Sequence, residues 1–423
     1  MLEINRLRQH KDEIIQQLTK RYFEAKELIE QILELDVKQR SLKTEIDQNQ
    51  AELNKSSKAI GLLMREGKKE EAEQKKREVA ELKQHNQPLQ KELSEASEEL
   101  EQLLVQIPNV PHESVSQGKS EDDNVVISRH GEIPEFAGKA LPHWELAKKY
   151  DLIDFELGNK ITGSGFPLYK GKGAQLQWAL ISYFLQFNIQ NGYTPYQPPL
   201  MVNEASAYGT GQLPDKEGQM YYAGEDNLYL IPTAEVPLTN IYRNSILKED
   251  DLPVKMTGYT PCFRREAGSY GKDVRGLNRL HQFDKVELVR VVKPETSYDV
   301  LNEMVGEVES LLKSLQLPYR ILRLCGGDLS FTSALTYDFE IYSAAQERWL
   351  EVSSISNFET YQSNRMKIRM KGKDGKKQLL HTLNGSSLAL PRILAGLLEN
   401  NQEKEGIRIP EVLQPFLGID KIQ

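Results

Sequence analysis

The sequence predicts an α+β protein: an N-terminal antiparallel α-helical coiled-coil arm, then a larger domain built on an antiparallel β-sheet flanked by helices. Three observations predict it. Two stretches within residues 1–107 carry apolar residues at sustained 3.5-residue spacing. Prolines and an acidic linker then end that region. From Val125 onward, short β-rich runs mix with helices and show few β-α-β alternations, the pattern of an antiparallel rather than a parallel sheet.

The arm comes first. One seam runs Leu28, Ile32, Leu35, Gln39, Leu42, Ile46, Asn49, Leu53, Ser56, Ile60. The other runs Val79, Leu82, Asn86, Leu89, Leu93, Ala96, Leu100, Leu103, Ile107. Each puts one apolar stripe on a helix and favours a left-handed supercoil. Gly61 and Gly67 are the expected breakers between them, so the two helices form a hairpin. Pro88 removes one helix hydrogen bond and is expected to kink the second helix. The polar seam positions Gln39, Asn49, Ser56 and Asn86 weaken the zipper and can set its register. Lys55–Lys83 holds nine Lys or Arg against six Asp or Glu, whereas the rest of the arm holds ten against sixteen. The far end is thus locally basic on a chain of net charge −8. Ile107-Pro-Asn-Val-Pro111 stops the arm, because proline cannot continue a helix. The expected division is 1–107 arm, 108–124 linker and 125–423 catalytic domain.

A length of 423 residues calls for more than one core. The two cysteines, Cys262 and Cys325, give neither a disulfide framework nor a zinc spacing, which fits a cytoplasmic location. The N-terminal run MLEINRLRQHKDEII is amphipathic and lacks the apolar region of a secretory signal. No apolar run reaches the roughly 18 residues of a membrane span. A membrane partner is therefore not expected.

In the larger domain, residues 174–191 read as a helix. Strands are expected in NLYLIP, VKMTGYTPCFR, KVELVRVV, YDFEIYS, RWLEVSSI and MKIRM, and further helices over 296–315 and 387–400. No phosphate loop or dinucleotide fingerprint is present. The segment Cys262-Phe263-Arg264-Arg265-Glu266 ends one strand. A basic stretch, AGSYGKDVRGLNRLH, follows, and Gln282-Phe283-Asp284-Lys285-Val286-Glu287 opens a second strand. Strand alternation puts Arg264 with Glu266 on one face, and Phe283 with Lys285 and Glu287 on one face. An arginine fork suits phosphate and a phenyl face suits a stacked base. Salt pairing on an exposed sheet face is the competing reading. The run from Leu383 to Arg392 is rich in small residues and enters a helix, whose N-terminus favours anions.

In order, these segments are a long helix leading to a proline (Gly173 to Pro199), FRRE–loop–HQFDKVE, and G-x-x-x-x-x-x-R. They resemble motifs 1, 2 and 3 of class II aminoacyl-tRNA synthetases. Within that class the resemblance is closest to the seryl-tRNA synthetase family. The runs ASAYGTGQLP (205–214), PTAEVP (232–237), AGSYGKDVRGLNRLHQFDKVE (267–287) and EVSSISN (351–357) carry it, and the hairpin resembles the family's tRNA-binding arm. One departure stands out. The class writes motif 3 as G-x-G-x-G-x-x-R, and here the second and third glycines are Ser387 and Ala389.

The resemblance implies ATP-dependent attachment of L-serine to tRNA(Ser) through a seryl-adenylate, with tRNA(Sec) as an additional substrate where a host has it. It implies that Arg264 binds the α-phosphate and the serine carboxylate, that Arg265 and Glu266 help hold ATP, that Phe283 stacks on adenine, and that Arg392 holds the γ-phosphate side. Arg264, Glu266 and Arg392 form the expected catalytic set. Glu351, Val352, Ser353 and Ser354 match the family's ATP-binding run, with Glu351 and Ser354 linked to Mg²⁺, a cation that suits carboxylate, hydroxyl and phosphate oxygens. Thr233, Ala234, Glu235, Arg264, Glu287, Asn384 and Ser386 match the serine-binding positions. Glu235 and Glu287 both remain candidates for the ammonium. His281 is expected to position the loop or touch tRNA rather than act as a base. The implied partners are L-serine, ATP, the long variable arm and acceptor end of tRNA(Ser), and a second copy in a homodimer, with Pro199 near that interface. The rival readings are a threonine- or proline-type ligase, a carrier-protein ligase, and a non-catalytic RNA-binding paralogue.

Overall fold

A computed structural model describes residues 1–266 and 275–423. The chain divides into two compact units. Leu2–Thr19 and Phe23–Pro108 form one; Met1, Lys20–Tyr22 and Asn109–Gln423 form the other.

The first unit is dominated by two paired helices, α1 (Lys26–Arg65) and α2 (Lys69–Leu104). The polar seam residues meet each other. Asn49 donates its amide to Asn86 Oδ1 at 2.7 Å, and Gln39 donates to the Ser97 hydroxyl at 2.9 Å. A buried amide pair is satisfied only in one alignment of the helices, so these contacts fix register at some expense of apolar packing. Three details differ from the sequence reading. Gly61 lies inside α1, and the turn is made by Glu66-Gly67-Lys68, with Gly67 at φ +77°. The expected break at Gly61 fails because its neighbours are good helix formers and a lone glycine costs a helix only about 1 kcal/mol. Pro88 is accommodated within one continuous helix. Near the base the seam moves by one position, burying Ile29 and Asp36 in place of Leu28 and Leu35. There Asp36 takes a two-pronged ion pair from Arg8, at 2.6 Å for each oxygen. Arg8 belongs to a short helix, Ile4–Gln9, that packs on α1.

The second unit is built on an eight-stranded sheet. Its strands in chain order are β1 (Val125–His130), β2 (Thr194–Pro195), β3 (Val254–Phe263), β4 (Gln282–Val292), β5 (Tyr319–Arg323), β6 (Leu335–Ser343), β7 (Arg348–Asn357) and β8 (His381–Ala389). The spatial order is β1-β5-β6-β7-β8-β4-β3-β2. Every pairing is antiparallel except the short β2–β3 edge. Helices α3 (Gly171–Gln190), α5 (Ser297–Ser314) and α7 (Leu390–Asn400) cover the sheet, and a helical turn, α4 (Glu235–Asn240), precedes β3. Leu180, Phe184, Val286, Leu288, Leu311, Phe339, Ile355 and Leu394 belong to one continuous core between them. The stripe of α3 read from sequence is the buried one: Leu176, Ala179, Leu180 and Phe184.

The sequence reading misses β8. Residues 381–389 form a central strand, and the helix begins at Leu390 rather than Ser387. Asn, Gly and Ser have poor strand propensity, yet a strand buried between two others is set by its neighbours rather than by propensity. The MKIRM strand is also shorter than expected, because α6 (Tyr361–Met366) takes its first residue and only Arg369–Lys371 is strand. Of the basic stretch after motif 2, residues 267–274 lie outside the described residues.

Candidate active site

Strands β4, β7 and β8, with the residues just past the end of β3, place polar side chains around one cavity of about 550 Å³. Thr233, Glu235, Arg264, Glu266, Phe283, Glu287, Glu351, Val352, Ser353, Ser354, Asn384, Ser386 and Arg392 all line it. Segments separated by more than a hundred residues thus converge because the sheet pairs them. Glu287 stands directly opposite Ser386 in the β4–β8 ladder. The ladder slips between Lys285 and Glu287, a bulge that aims neighbouring side chains at one place.

At the dry end of the cavity, a cluster forms around Glu287, which is 1% exposed. The Thr233 hydroxyl donates to Glu287 Oε2 at 3.1 Å, and Thr233 Oγ1 in turn accepts from the Glu235 backbone N–H at 3.2 Å and from Lys285 Nζ at 2.9 Å. Lys285 Nζ also pairs with Glu287 at 2.5 Å. Burial pushes the Glu287 carboxyl up, and Lys285, Thr233 and Arg264 pull it back. Glu235 is pushed up to about 7, by burial and then by the charge of Glu287. Gln362, on α6, donates to Glu235 Oε1 at 2.6 Å.

At the wider end lie the groups suited to a nucleotide. The Arg264 guanidinium sits 5.2 Å over the Phe283 ring, and its Nε donates to the Pro232 carbonyl at 3.4 Å. Arg392, in the first turn of α7, donates to the Glu351 carbonyl at 2.8 Å, and its charge lies 3.6 Å from the Glu351 carboxylate. Glu266 pairs with Arg279 at 3.2 Å. The Ser354 hydroxyl donates to Glu351 Oε1 at 3.2 Å. Beside them, Asp338 Oδ1 is buried without a hydrogen-bond partner. Burial and then the Glu351 charge hold its carboxyl well above the ordinary range. An orphaned carboxylate oxygen next to a second carboxylate and a hydroxyl is a donor set that a hard divalent cation fits. Glu351 and Ser354 are the residues that would hold such an ion.

Two expected contacts are not brought to the cavity. Ala234 is fully buried in a separate apolar cluster with Leu238, Met256 and Val289, because it faces inward from the turn that aims Thr233 and Glu235 at the site. Arg265 is exposed and does not line the cavity, since strand alternation sends it away from Arg264. His281 holds the loop base: the Arg264 N–H donates to its carbonyl at 2.9 Å, and its ring faces the Arg264 carbonyl and the Tyr221 hydroxyl. It does not line the cavity, in keeping with a positional role. Ser387, one of the two motif 3 departures, points away and donates to Asn188 Oδ1 on α3 at 2.9 Å, so its side chain takes no cavity space. Asn278, Arg279 and Ser356 also line the site without a signal in the sequence reading, and so does Lys285, which that reading places on the Phe283–Glu287 face without a role. The alternation that places Lys285 beside Glu287 was the available signal.

An antiparallel sheet that presents an arginine, a phenyl face, a carboxylate–serine pair and a second arginine to one cavity defines a class II aminoacyl-tRNA synthetase. Residues 220–401 match the class II tRNA synthetase core domain for G, H, P, S and T, and residues 1–111 match the seryl-tRNA synthetase N-terminal domain. A serine–tRNA ligase of Salinibacter ruber is 50% identical over 100% of this chain and 99% of its own. A seryl-tRNA synthetase from Pyrococcus horikoshii, solved with ATP, superposes with a TM-score of 0.91 at 34% identity, covering 100% of this chain and 99% of that one. The cytoplasmic enzyme of Naegleria fowleri, solved with AMP, gives 0.87 at 28% identity, covering 100% and 99%. The chain belongs to the seryl-tRNA synthetase family, and its activity is that of a serine–tRNA ligase.

Proposed function

We propose that the cavity performs the first chemical step on L-serine and ATP with the following division of labour. A serine carboxylate oxygen attacks the α-phosphorus. The bond from that phosphorus to the bridging oxygen breaks, and pyrophosphate leaves with the electron pair. Arg264 holds the α-phosphate and the serine carboxylate together, so the step gains from proximity and from charge placed where it develops. Phe283 carries the adenine, Glu266 helps seat ATP, and Arg392 holds the γ-phosphate side. A divalent cation between Glu351 and Ser354, when bound, offsets phosphate charge. Thr233, Glu235 and Glu287 take the ammonium, while Asn384 and Ser386 close the side-chain pocket. In the second step the 3′-terminal ribose hydroxyl of tRNA attacks the seryl carbonyl and AMP leaves. The observation supporting this reading is that five separate chain segments, 233–235, 264–266, 283–287, 351–354 and 384–392, deliver these groups to one cavity.

Its wider context follows from the family. The arm meets the long variable arm of tRNA(Ser), and tRNA(Sec) is a second substrate where it exists. Two copies pair through the α3 face, supported by Trp178, which is 64% exposed there. The protein works in the cytoplasm; no helix among the described residues is long and apolar enough to cross a membrane. Serine-dependent exchange of pyrophosphate into ATP tests the site. Alanine is expected to be rejected strongly, because a pocket built for a hydroxyl discriminates by up to about 10⁴–10⁵-fold against its absence. Equal exchange with alanine or threonine overturns the assignment.

A further inference from the structure

Lys285 is an unusual presence at the bottom of a pocket that must receive a cation. It is 6% exposed and fills the space between the Thr233 hydroxyl and Glu287, at 2.9 and 2.5 Å. Its neighbours across the sheet are Thr260 and Ala389, so no other charge on those strands reaches it by register. The ionisable groups that feel it are Glu287 on its own strand, Glu235 on α4 and the Cys262 thiol on β3, with Arg264 beside them. The pocket therefore contains two carboxylates, one lysine and one arginine.

A serine zwitterion brings one carboxylate, for Arg264, and one ammonium. Two buried carboxylates around a single ammonium would leave one negative charge unbalanced, a costly state in a dry site. We propose that Lys285 is a specificity-determining residue whose ammonium balances Glu287, so that the pocket has charge for one substrate cation and repels a second. This rests on the reading that the cavity binds serine. The compound it excludes is an isostere of serine carrying an ammonium in place of the hydroxyl, L-2,3-diaminopropionate. Size cannot reject that molecule, and two unpaired carboxylates would welcome it. A fixed positive charge against Glu287, the carboxylate that stands opposite Ser386 of the side-chain pocket, leaves no free negative charge there and rejects it.

The experiment compares serine, L-2,3-diaminopropionate and L-alanine in pyrophosphate exchange on the full-length chain and on Lys285→Met and Lys285→Arg. In Lys285→Met the ratio of kcat/KM for serine to that for diaminopropionate is expected to fall about tenfold or more, while the serine-to-alanine ratio moves less. Lys285→Arg keeps the wild-type ratio. A Met variant that loses activity on all three compounds by one factor overturns the proposal, as does an Arg variant that behaves like the Met one. If the Met variant does not fold, inhibition of wild-type exchange by diaminopropionate decides. It should be weaker than inhibition by L-alanine, which has the same backbone without the added charge, measured side by side at one pH; inhibition equal to or stronger than alanine's overturns the proposal. Absence of serine-dependent exchange in the wild type would instead strike the underlying reading.

Discussion

Gln362 donates its amide N–H to Glu235 Oε1 at 2.6 Å, and both groups are buried. The amide is itself fixed, because its oxygen accepts from the Thr382 hydroxyl at 2.7 Å. Glu235 is thus held in one orientation while burial and the Glu287 charge push it up to about 7. Ionised, it attracts an ammonium; protonated, it does not. The KM for serine is therefore expected to rise as pH falls from about 8 to 6, approaching tenfold per pH unit below the apparent pKa. Glu235→Gln should raise KM at pH 8 and flatten the profile. A profile as steep in the variant as in the wild type would place the titration elsewhere. The stability sign is opposite. The folded chain binds this proton more tightly than the unfolded one, so Glu235 favours folding below its ordinary range near 4.5 and loses that contribution as pH rises through 7.

The Arg264 side chain makes one long hydrogen bond, to the Pro232 carbonyl, and leans on Phe283. Few native contacts depend on it, whereas the proposed chemistry does. Arg264→Ala should lower serine-dependent exchange by about 10²-fold or more, as loss of one charge-stabilising donor does, with little change in Tm. Near-normal exchange would make it a mere partner of the Phe283 ring.

Much of this site is legible in the sequence because strand alternation is simple. Arg264 with Glu266, and Phe283 with Lys285 and Glu287, share faces as period two requires, and all five line the cavity. The family resemblance then supplies roles that residue patterns leave open. Less legible is what depends on tertiary pairing. The Asn-Gly-Ser-Ser run reads as a helix entrance, yet it is a strand because β4 and β7 flank it. Asp338 belongs to an ordinary alternating strand, and only the fold sets it across from Ser354. Ala234 sits between two cavity residues and turns the other way, a choice made by the local turn rather than by residue type.

Asp338 gives a test of the cation site. Its Oδ1 lacks a partner, and burial and the Glu351 charge hold its carboxyl well above the ordinary range, so its ionised form works against folding in the free protein. Asp338→Asn keeps its volume. The variant is expected to melt no lower than about 2 °C below wild type without magnesium, unlike most changes at buried positions. The magnesium concentration for half-maximal exchange should rise severalfold, because a nearby carboxylate that supports the proposed ligands Glu351 and Ser354 has gone. A large drop in Tm with unchanged magnesium demand would make Asp338 a structural residue only.

The arm yields the last prediction. It forms its own compact unit, and its helices are aligned by Asn49–Asn86, Gln39–Ser97 and the Lys38–Glu92 ion pair at 2.7 Å. The two amide contacts pair positions whose numbers sum to nearly the same value, so Leu42 lies level with Leu93. A hairpin shortened by joining the helices there keeps its lower register and loses the basic end. No residue of the cavity lies in the arm. Serine-dependent exchange should therefore survive. Charging of tRNA should fall sharply, mainly through KM, since phosphate contacts supply affinity without touching the chemistry. Reversing Lys68, Lys69, Lys75 and Lys76 should give a milder loss that is largest at low salt and shrinks as salt is raised. Lys75 and Lys76 are already paired with Glu78 and Glu73 on the same helix, and Lys68 with Glu66, so each offers less than a free charge. The loss per residue should accordingly be small, about 1 kcal/mol or less. Exchange and aminoacylation measured on the same shortened protein decide the matter. A parallel fall in both would make the arm part of the catalytic fold, and an unchanged tRNA KM would remove the arm from tRNA recognition.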